Sequence, residues 1–149
     1  MKTIKFDQQT MQRIAMFEKM TRAHVKDCFE DMFSVLTFVV QDGDIYKALG
    51  RKAVNVQKLK NTFNKQLRIV EYKPDVKDFL VNLAKPNSLI DVKEQQNDSG
   101  VIYTMVCNDL KTRGYLIGRN AQTLRNNEMI AKKYFDIQEL KIELVQGEN

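Results

Sequence analysis

Long apolar runs, clustered metal ligands and catalytic constellations are all missing from this chain of 149 residues. No stretch of about 18 apolar residues occurs, so no membrane span is expected. The N-terminus, MKTIKFDQQT, lacks the apolar core of a signal peptide, and the expectation is a cytoplasmic protein. With one histidine and no closely spaced cysteine pair, a zinc site is excluded, and no metal or cofactor is expected. Cys28 and Cys107 lie far apart, each inside an apolar, strand-like run. They read as buried thiols in a reducing compartment rather than as a disulfide. No carboxylate pair, nucleophile–base arrangement or Walker-type GxxxxGK is present, so enzymatic chemistry has no candidate residues. His24, at a strand start, reads as a structural partner.

Acid is absent from one place in particular. The span from Ile45 to Val70 holds Lys47, Arg51, Lys52, Lys58, Lys60, Lys65 and Arg68 and not one Asp or Glu. A solvated helix normally mixes signs, so such a run points toward an anionic partner. The charge is uneven over the chain as well. Residues 1–73 carry 14 Lys and Arg against 8 Asp and Glu, whereas residues 74–149 carry 10 against 11.

What is present is a repeat. "YKALGRKAVNV" around Gly50 matches "GYLIGRNAQTL" around Gly118: Leu49 pairs with Ile117, Arg51 with Arg119, Ala53 with Ala121 and Val56 with Leu124. The same shift of 68 residues lays the apolar run "FSVLTFV" (33–39) over "VIYTMVC" (101–107). A glycine corner and its preceding strand in common register imply a duplicated unit, with domains at 1–73 and 74–149.

Each copy reads in the order α-β-β-α-corner-α-β. In the first, Asp7 caps a helix to about Met20, with Met11, Ile14, Ala15 and Phe17 on one side and Met11, Met16 and Met20 read as core. "HVKDCF" and "SVLTFVV" follow as strands, and Asp42-Gly43 as a turn. Asp44 caps a short helix. After Gly50 a second helix carries Ala53, Val56, Leu59 and Phe63 at spacings of three and four, and "LRIVEY" closes the copy. In the second, Pro74-Asp75 starts a helix with Val76, Phe79, Leu80 and Leu83 inward, and Pro86 ends it. Strands at about 88–95 and 100–107, a short helix from about Lys111, the Gly118 corner, a helix to Phe135 and the strand "LKIEL" complete it. The expected fold class is α+β, each module a helix pair on a small three-stranded sheet with a preceding helix. Phe38 and Tyr103, in strands, are expected to be buried.

A glycine immediately before a helix N-terminus, followed by cations, suits phosphate. The helix start presents unpaired N–H groups and a partial positive charge, and glycine permits close approach. An apolar groove between the second helix and the neighbouring strand offers a place for unstacked bases. The candidate nucleic-acid contacts are Lys47, Gly50, Arg51, Lys52, Ala53, Asn55 and Lys58 in the first copy. In the second copy they are Gly118, Arg119, Asn120, Ala121 and Arg125.

"LGRKA" and "IGRNA", each between two short helices inside α-β-β-α-α-β, resemble the GxxG loop of KH domains, in the type II arrangement. Two such modules fused almost without a linker, with "IKFDQQTMQRIAMFEKMT" before and "RIVEYKPDVKDFLVNL" between, look like the archaeal NusA-like transcription factor family. The resemblance runs from about Ile4 to Leu144. It implies single-stranded RNA binding in transcription termination or antitermination, with RNA polymerase as a partner; the repeat and the absence of a Gly/Ser-rich linker give the expectation of a monomer. Two departures stand out: alanine replaces the last glycine of each loop, at Ala53 and Ala121, and Asn120 stands where a cation or glycine is more usual. Alanine fits there if the position already has helical dihedrals. Glu128 interrupts the apolar stripe of the second copy's last helix. Two other function classes stay open. One is a helix-turn-helix DNA-binding protein; the other is a KH scaffold with decayed RNA sites that serves protein interaction.

Overall fold

The computed structural model describes residues 4–145, which form two compact units, one ending at Pro74 and the other beginning at Asp75. The first unit consists of α1 (Gln8–Thr21), β1 (Val25–Glu30), β2 (Leu36–Val40), α2 (Ile45–Leu49), α3 (Val54–Phe63) and β3 (Leu67–Glu71). The second consists of α4 (Val76–Ala84), β4 (Asp91–Asn97), β5 (Gly100–Cys107), α5 (Leu110–Ile117), α6 (Gln122–Lys132) and β6 (Glu139–Leu144). A single 3₁₀ turn, Arg51–Ala53 or Arg119–Ala121, separates the last two helices of each. The sheet orders are β1-β2-β3 and β4-β5-β6. In both, the central strand runs antiparallel to the strand before it and parallel to the last. A parallel partner demands a crossover, and the helix pair is that crossover.

Capping residues start the helices where the side-chain chemistry allows. The Asp7 carboxylate accepts the Thr10 N–H at 2.7 Å, Asp75 accepts Lys77 N–H at 2.8 Å, and Asp109 accepts Thr112 N–H at 2.7 Å. Each satisfies a helix N–H that has no intrahelical partner, worth about 1 kcal/mol. Asp44 differs. It occupies the cap position of α2 without bonding to it, and its Oδ2 instead accepts the His24 N–H at 2.7 Å and faces His24 Nδ1 at 3.0 Å. The two His24 contacts, the backbone N–H foremost, hold the Asp44 carboxyl below its usual range. His24 is thus a structural partner tying the start of β1 to the start of α2.

The first core packs Phe17 of α1 on Phe38 of β2 with ring centroids 4.2 Å apart, and Phe63 lies 5.4 Å beyond. Leu36, Val40, Ala48 and Leu59 complete it, all fully buried. Burying one such side chain contributes about 1.5–3 kcal/mol. Cys28 is buried with them, and desolvation pushes its thiol up to about 12, which keeps it unreactive. In the second unit Phe79 of α4 meets Tyr134 edge-on at 5.6 Å and Phe135 at 5.5 Å. Tyr103 is buried and donates its hydroxyl to Glu94 at 2.8 Å.

Several expectations need correction. Met11 and Met16 are 54% and 42% exposed and so are not core. At 100° per residue the buried stripe of α1 is centred on Ile14, Phe17 and Thr21, with Met11 about 90° to one side of it and Met16 about 130° to the other. Ala15 is likewise exposed. α6 stops at Lys132 rather than Phe135, because Tyr134 and Phe135 leave the helix to pack on Phe79. β4 begins at Asp91 rather than about 88. The strand register of the repeat is also different from the corner's. Leu36, Phe38 and Val40 pair with β3 as Tyr103, Met105 and Cys107 pair with β6, one residue out of step with the 68-residue shift. A one-residue slip exchanges the two faces of a strand. The difference is absorbed in the segments leading to the corners, where α2 has 5 residues and α5 has 8.

Candidate functional site: two glycine corners

The two corners superimpose in their backbone angles. Gly50 has φ 75° and ψ 175°, and Gly118 has φ 74° and ψ 177°. That region is open essentially to glycine alone. Space forbids a side chain as well. A Cβ on Gly50 would lie 2.7 Å from Asn55 Nδ2, and one on Gly118 would lie 2.2 Å from Thr123 Oγ1 and 2.9 Å from the Thr123 backbone N. The glycines therefore have an intramolecular cause: they close the preceding helix (Gly50 N–H to Tyr46 O, Gly118 N–H to Gly114 O, both 2.9 Å) and redirect the chain.

The next residues close the corner themselves: Ala53 N–H donates to Gly50 O at 3.0 Å and Ala121 N–H to Gly118 O at 3.3 Å. Lys52 and Asn120 adopt φ 53° and 54°, and Ala53 and Ala121 adopt φ 56° and 60°, all in the left-handed region. The condition under which alanine would fit, helical dihedrals, is not met; both alanines precede their helices, and Ala53 is exposed rather than part of the α3 stripe. A left-handed conformation costs a non-glycine residue roughly 1–2 kcal/mol. Both units carry this strain at two successive positions, with angles matching to within a few degrees.

Around the first corner Arg51, Lys52 and Lys58 are exposed and, among the described residues, form no ion pair. Lys47 is exposed and lies 4.0 Å from Asp44, a loose contact. The acid-free span is acid-free only along the chain. Lys65 pairs with Glu30, and Arg68 is half-buried near Asp31, its pKa lowered by desolvation. Lys60 is also half-buried, so the free charge gathers at the corner and the first turns of α3. Asn55 does not face outward freely: its Nδ2 donates to the carbonyls of Lys47 at 3.3 Å and Ala48 at 3.2 Å. It fastens the end of α2 under the corner, and Thr123 occupies the corresponding place beneath Gly118.

The second corner is weaker in charge. Arg119 and Asn120 are exposed, but Arg125 lies 3.8 Å from Glu128. Glu128, read from sequence as an interruption, is buried because its Oε2 accepts the Leu140 N–H at 2.9 Å, holding the start of β6 against α6. Lys132 reaches the same carboxylate at 3.7 Å. Sequence reasoning also passed over Tyr46 and Tyr115, 83% and 59% exposed, each within the last turn of the helix that enters a corner. Among the described residues no helix is long and apolar enough to cross a membrane.

Fold and corners together define a tandem α+β protein, each unit presenting a glycine-kinked, cation-bearing turn. No family model matches the sequence. Curated relatives do. The chain is 34% identical over 141 residues to the "Probable transcription termination protein NusA" of Methanococcus vannielii, covering 93% of this chain and 79% of that protein. It is 29% identical over 140 residues to the protein of the same name from Halobacterium salinarum (94% and 99%), and 27% over 142 residues to that of Methanocaldococcus jannaschii (95% and 76%). The chain belongs to this family of archaeal NusA-like transcription termination proteins. Among solved structures, "Crystal structure of APE1850" matches with a TM-score of 0.74 at 19% identity, over 92% of this chain and 99% of that one, a likeness of fold.

Proposed function

We propose that this protein binds single-stranded RNA through two KH modules of the type II arrangement and acts with RNA polymerase in transcription termination or antitermination. The observation that carries the reading is the pair of glycine corners with the same strained backbone. Both units hold two successive non-glycine residues in the left-handed region, and strain of that kind clusters at ligand-binding sites. The start of a helix at each corner favours an anion, and exposed cations add attraction for phosphate. The helix preceding the strands and the parallel pairing of the central strand with the last support the type II assignment. The junction at Lys73-Pro74 has no Gly/Ser-rich linker and the modules act as a monomer on one strand.

The corners are unequal. With Arg51, Lys52 and Lys58 free, the first module is the stronger phosphate site; Arg119 alone serves the second. Replacing Arg51 and Lys52 by Asp should weaken binding of a labelled single-stranded RNA strongly, and replacing Arg119 and Asn120 by Asp should weaken it less, with circular dichroism unchanged. With about four phosphates neutralised, log K should fall against log salt with a slope of roughly −3. A slope near zero, or RNA binding indifferent to both replacements, would leave the corners as folding devices and favour the scaffold reading. Tighter binding to duplex DNA than to single-stranded RNA would revive the helix-turn-helix reading.

A further inference from the structure

The chain has five tyrosines, and three are engaged within their units. Lys26 Nζ stands 4.2 Å over the Tyr72 ring, Tyr103 donates to Glu94, and Tyr134 packs edge-on against Phe79. The two others are Tyr46 and Tyr115. Their side chains make no ring contact, hydrogen bond or ion pair among the described residues. Both flank a glycine corner, one at each. Tyr46 and Gly50 are i and i+4, and Tyr115 and Gly118 are i and i+3, the spacings that make neighbours on a helix surface. At 83% and 59% exposure these rings contribute nothing to either core.

A second feature lies beside Tyr115. Gly114 sits inside α5, where glycine costs about 1 kcal/mol relative to alanine. It has no left-handed angle, and a Cβ built on it would meet nothing within 4 Å. Neither packing nor backbone geometry calls for glycine there. Its effect is to leave the helix surface next to Tyr115 without a side chain.

We infer that Tyr46 and Tyr115 are stacking platforms for nucleobases of the strand whose phosphates lie on the corners. This rests on the RNA-binding reading above and extends it from backbone to base. An exposed aromatic face beside a cationic turn takes an unstacked base without regard to its hydrogen-bonding edge, so the contact is sequence-tolerant. Lys47 on α2 and Arg113 on α5 are exposed as well.

The test compares an oligouridylate of about ten nucleotides, within the usual site size, with an abasic ribose-phosphate oligomer of the same length. Tyr46→Ala should weaken oligouridylate binding roughly five- to hundred-fold and leave the abasic oligomer unchanged. Tyr46→Phe should bind both as the parent does, and Tyr115→Ala should repeat the pattern with a smaller loss. Because the chain has no tryptophan, Tyr46→Trp supplies a single indole whose emission should be quenched by oligouridylate and not by the abasic oligomer. Equal losses on both oligomers, no loss on either, or Tyr46→Phe as weak as Tyr46→Ala would overturn the stacking role while leaving RNA binding standing. A parent protein that binds neither oligomer would overturn the RNA-binding reading itself.

Discussion

Replacing Ala53 by glycine should make this protein more stable, the reverse of what that change does inside a helix. Ala53 sits at φ 56° and ψ 30°, immediately before α3. For an alanine that conformation costs roughly 1–2 kcal/mol against a right-handed one. Glycine removes the strain but adds freedom to the unfolded chain, an opposing term of roughly 0.4–1 kcal/mol. The net expectation is a gain of about 0.5–1 kcal/mol, or about 1–4 °C in melting temperature for a chain of this size. Lys58→Gly, on the exposed face of α3, supplies the contrast: a mid-helix glycine should lose about 0.5–1 kcal/mol. Thermal and urea unfolding followed by circular dichroism measure both. Ala121, at φ 60° and ψ 20°, should respond as Ala53 does. If Ala53→Gly were destabilised as much as Lys58→Gly, the residue would be right-handed, the corner would be unstrained, and the argument from strain to phosphate binding would fall with it.

Alanine at the glycines themselves should cost on the order of 1–3 kcal/mol, since their φ/ψ region excludes side chains. Gly118→Ala should be the worse, because its Cβ would meet the Thr123 backbone at 2.9 Å whereas Gly50→Ala meets only the Asn55 side chain; equal midpoints in urea would contradict this. Glu128→Ala should lose about 1–3 kcal/mol by leaving the Leu140 N–H without its acceptor, and Glu128→Gln less, as its amide oxygen can still accept. Equal losses would trace the effect to the charges of Arg125 and Lys132 instead. Asp44 has a folded pKa below its unfolded value near about 3.9, so its contribution is present above that pH and lost as pH falls through the folded pKa. Asp44→Asn should therefore lower the melting temperature at neutral pH and flatten its fall under acid; a pH profile parallel to the parent's would remove the His24 contact from the account.

The local sequence determined much of this protein. Asp7 and Asp75 before their apolar stripes mark helix starts, because a carboxylate answering unpaired N–H groups acts within one turn of chain. The repeated glycine with its flanking Leu49 and Ile117 marked the corners. Glycine is the residue that the backbone there admits. What tertiary structure decided was everything that depends on partners distant in sequence. The span 45–70 lacks acids along the chain, yet Glu30 and Asp31 reach Lys65 and Arg68 from the β1–β2 hairpin, while Arg51, Lys52 and Lys58 stay exposed and without an ion pair among the described residues. Asn55 and Glu128, ambiguous as letters, became a clasp under α2 and a holder of β6 once the facing carbonyls and the Leu140 N–H were in place. The left-handed alanines were illegible for a different reason. Alanine has the highest helix propensity, and only the closure of the corner, fixed by the strands and helices on either side, forces it into a conformation that its own chemistry disfavours.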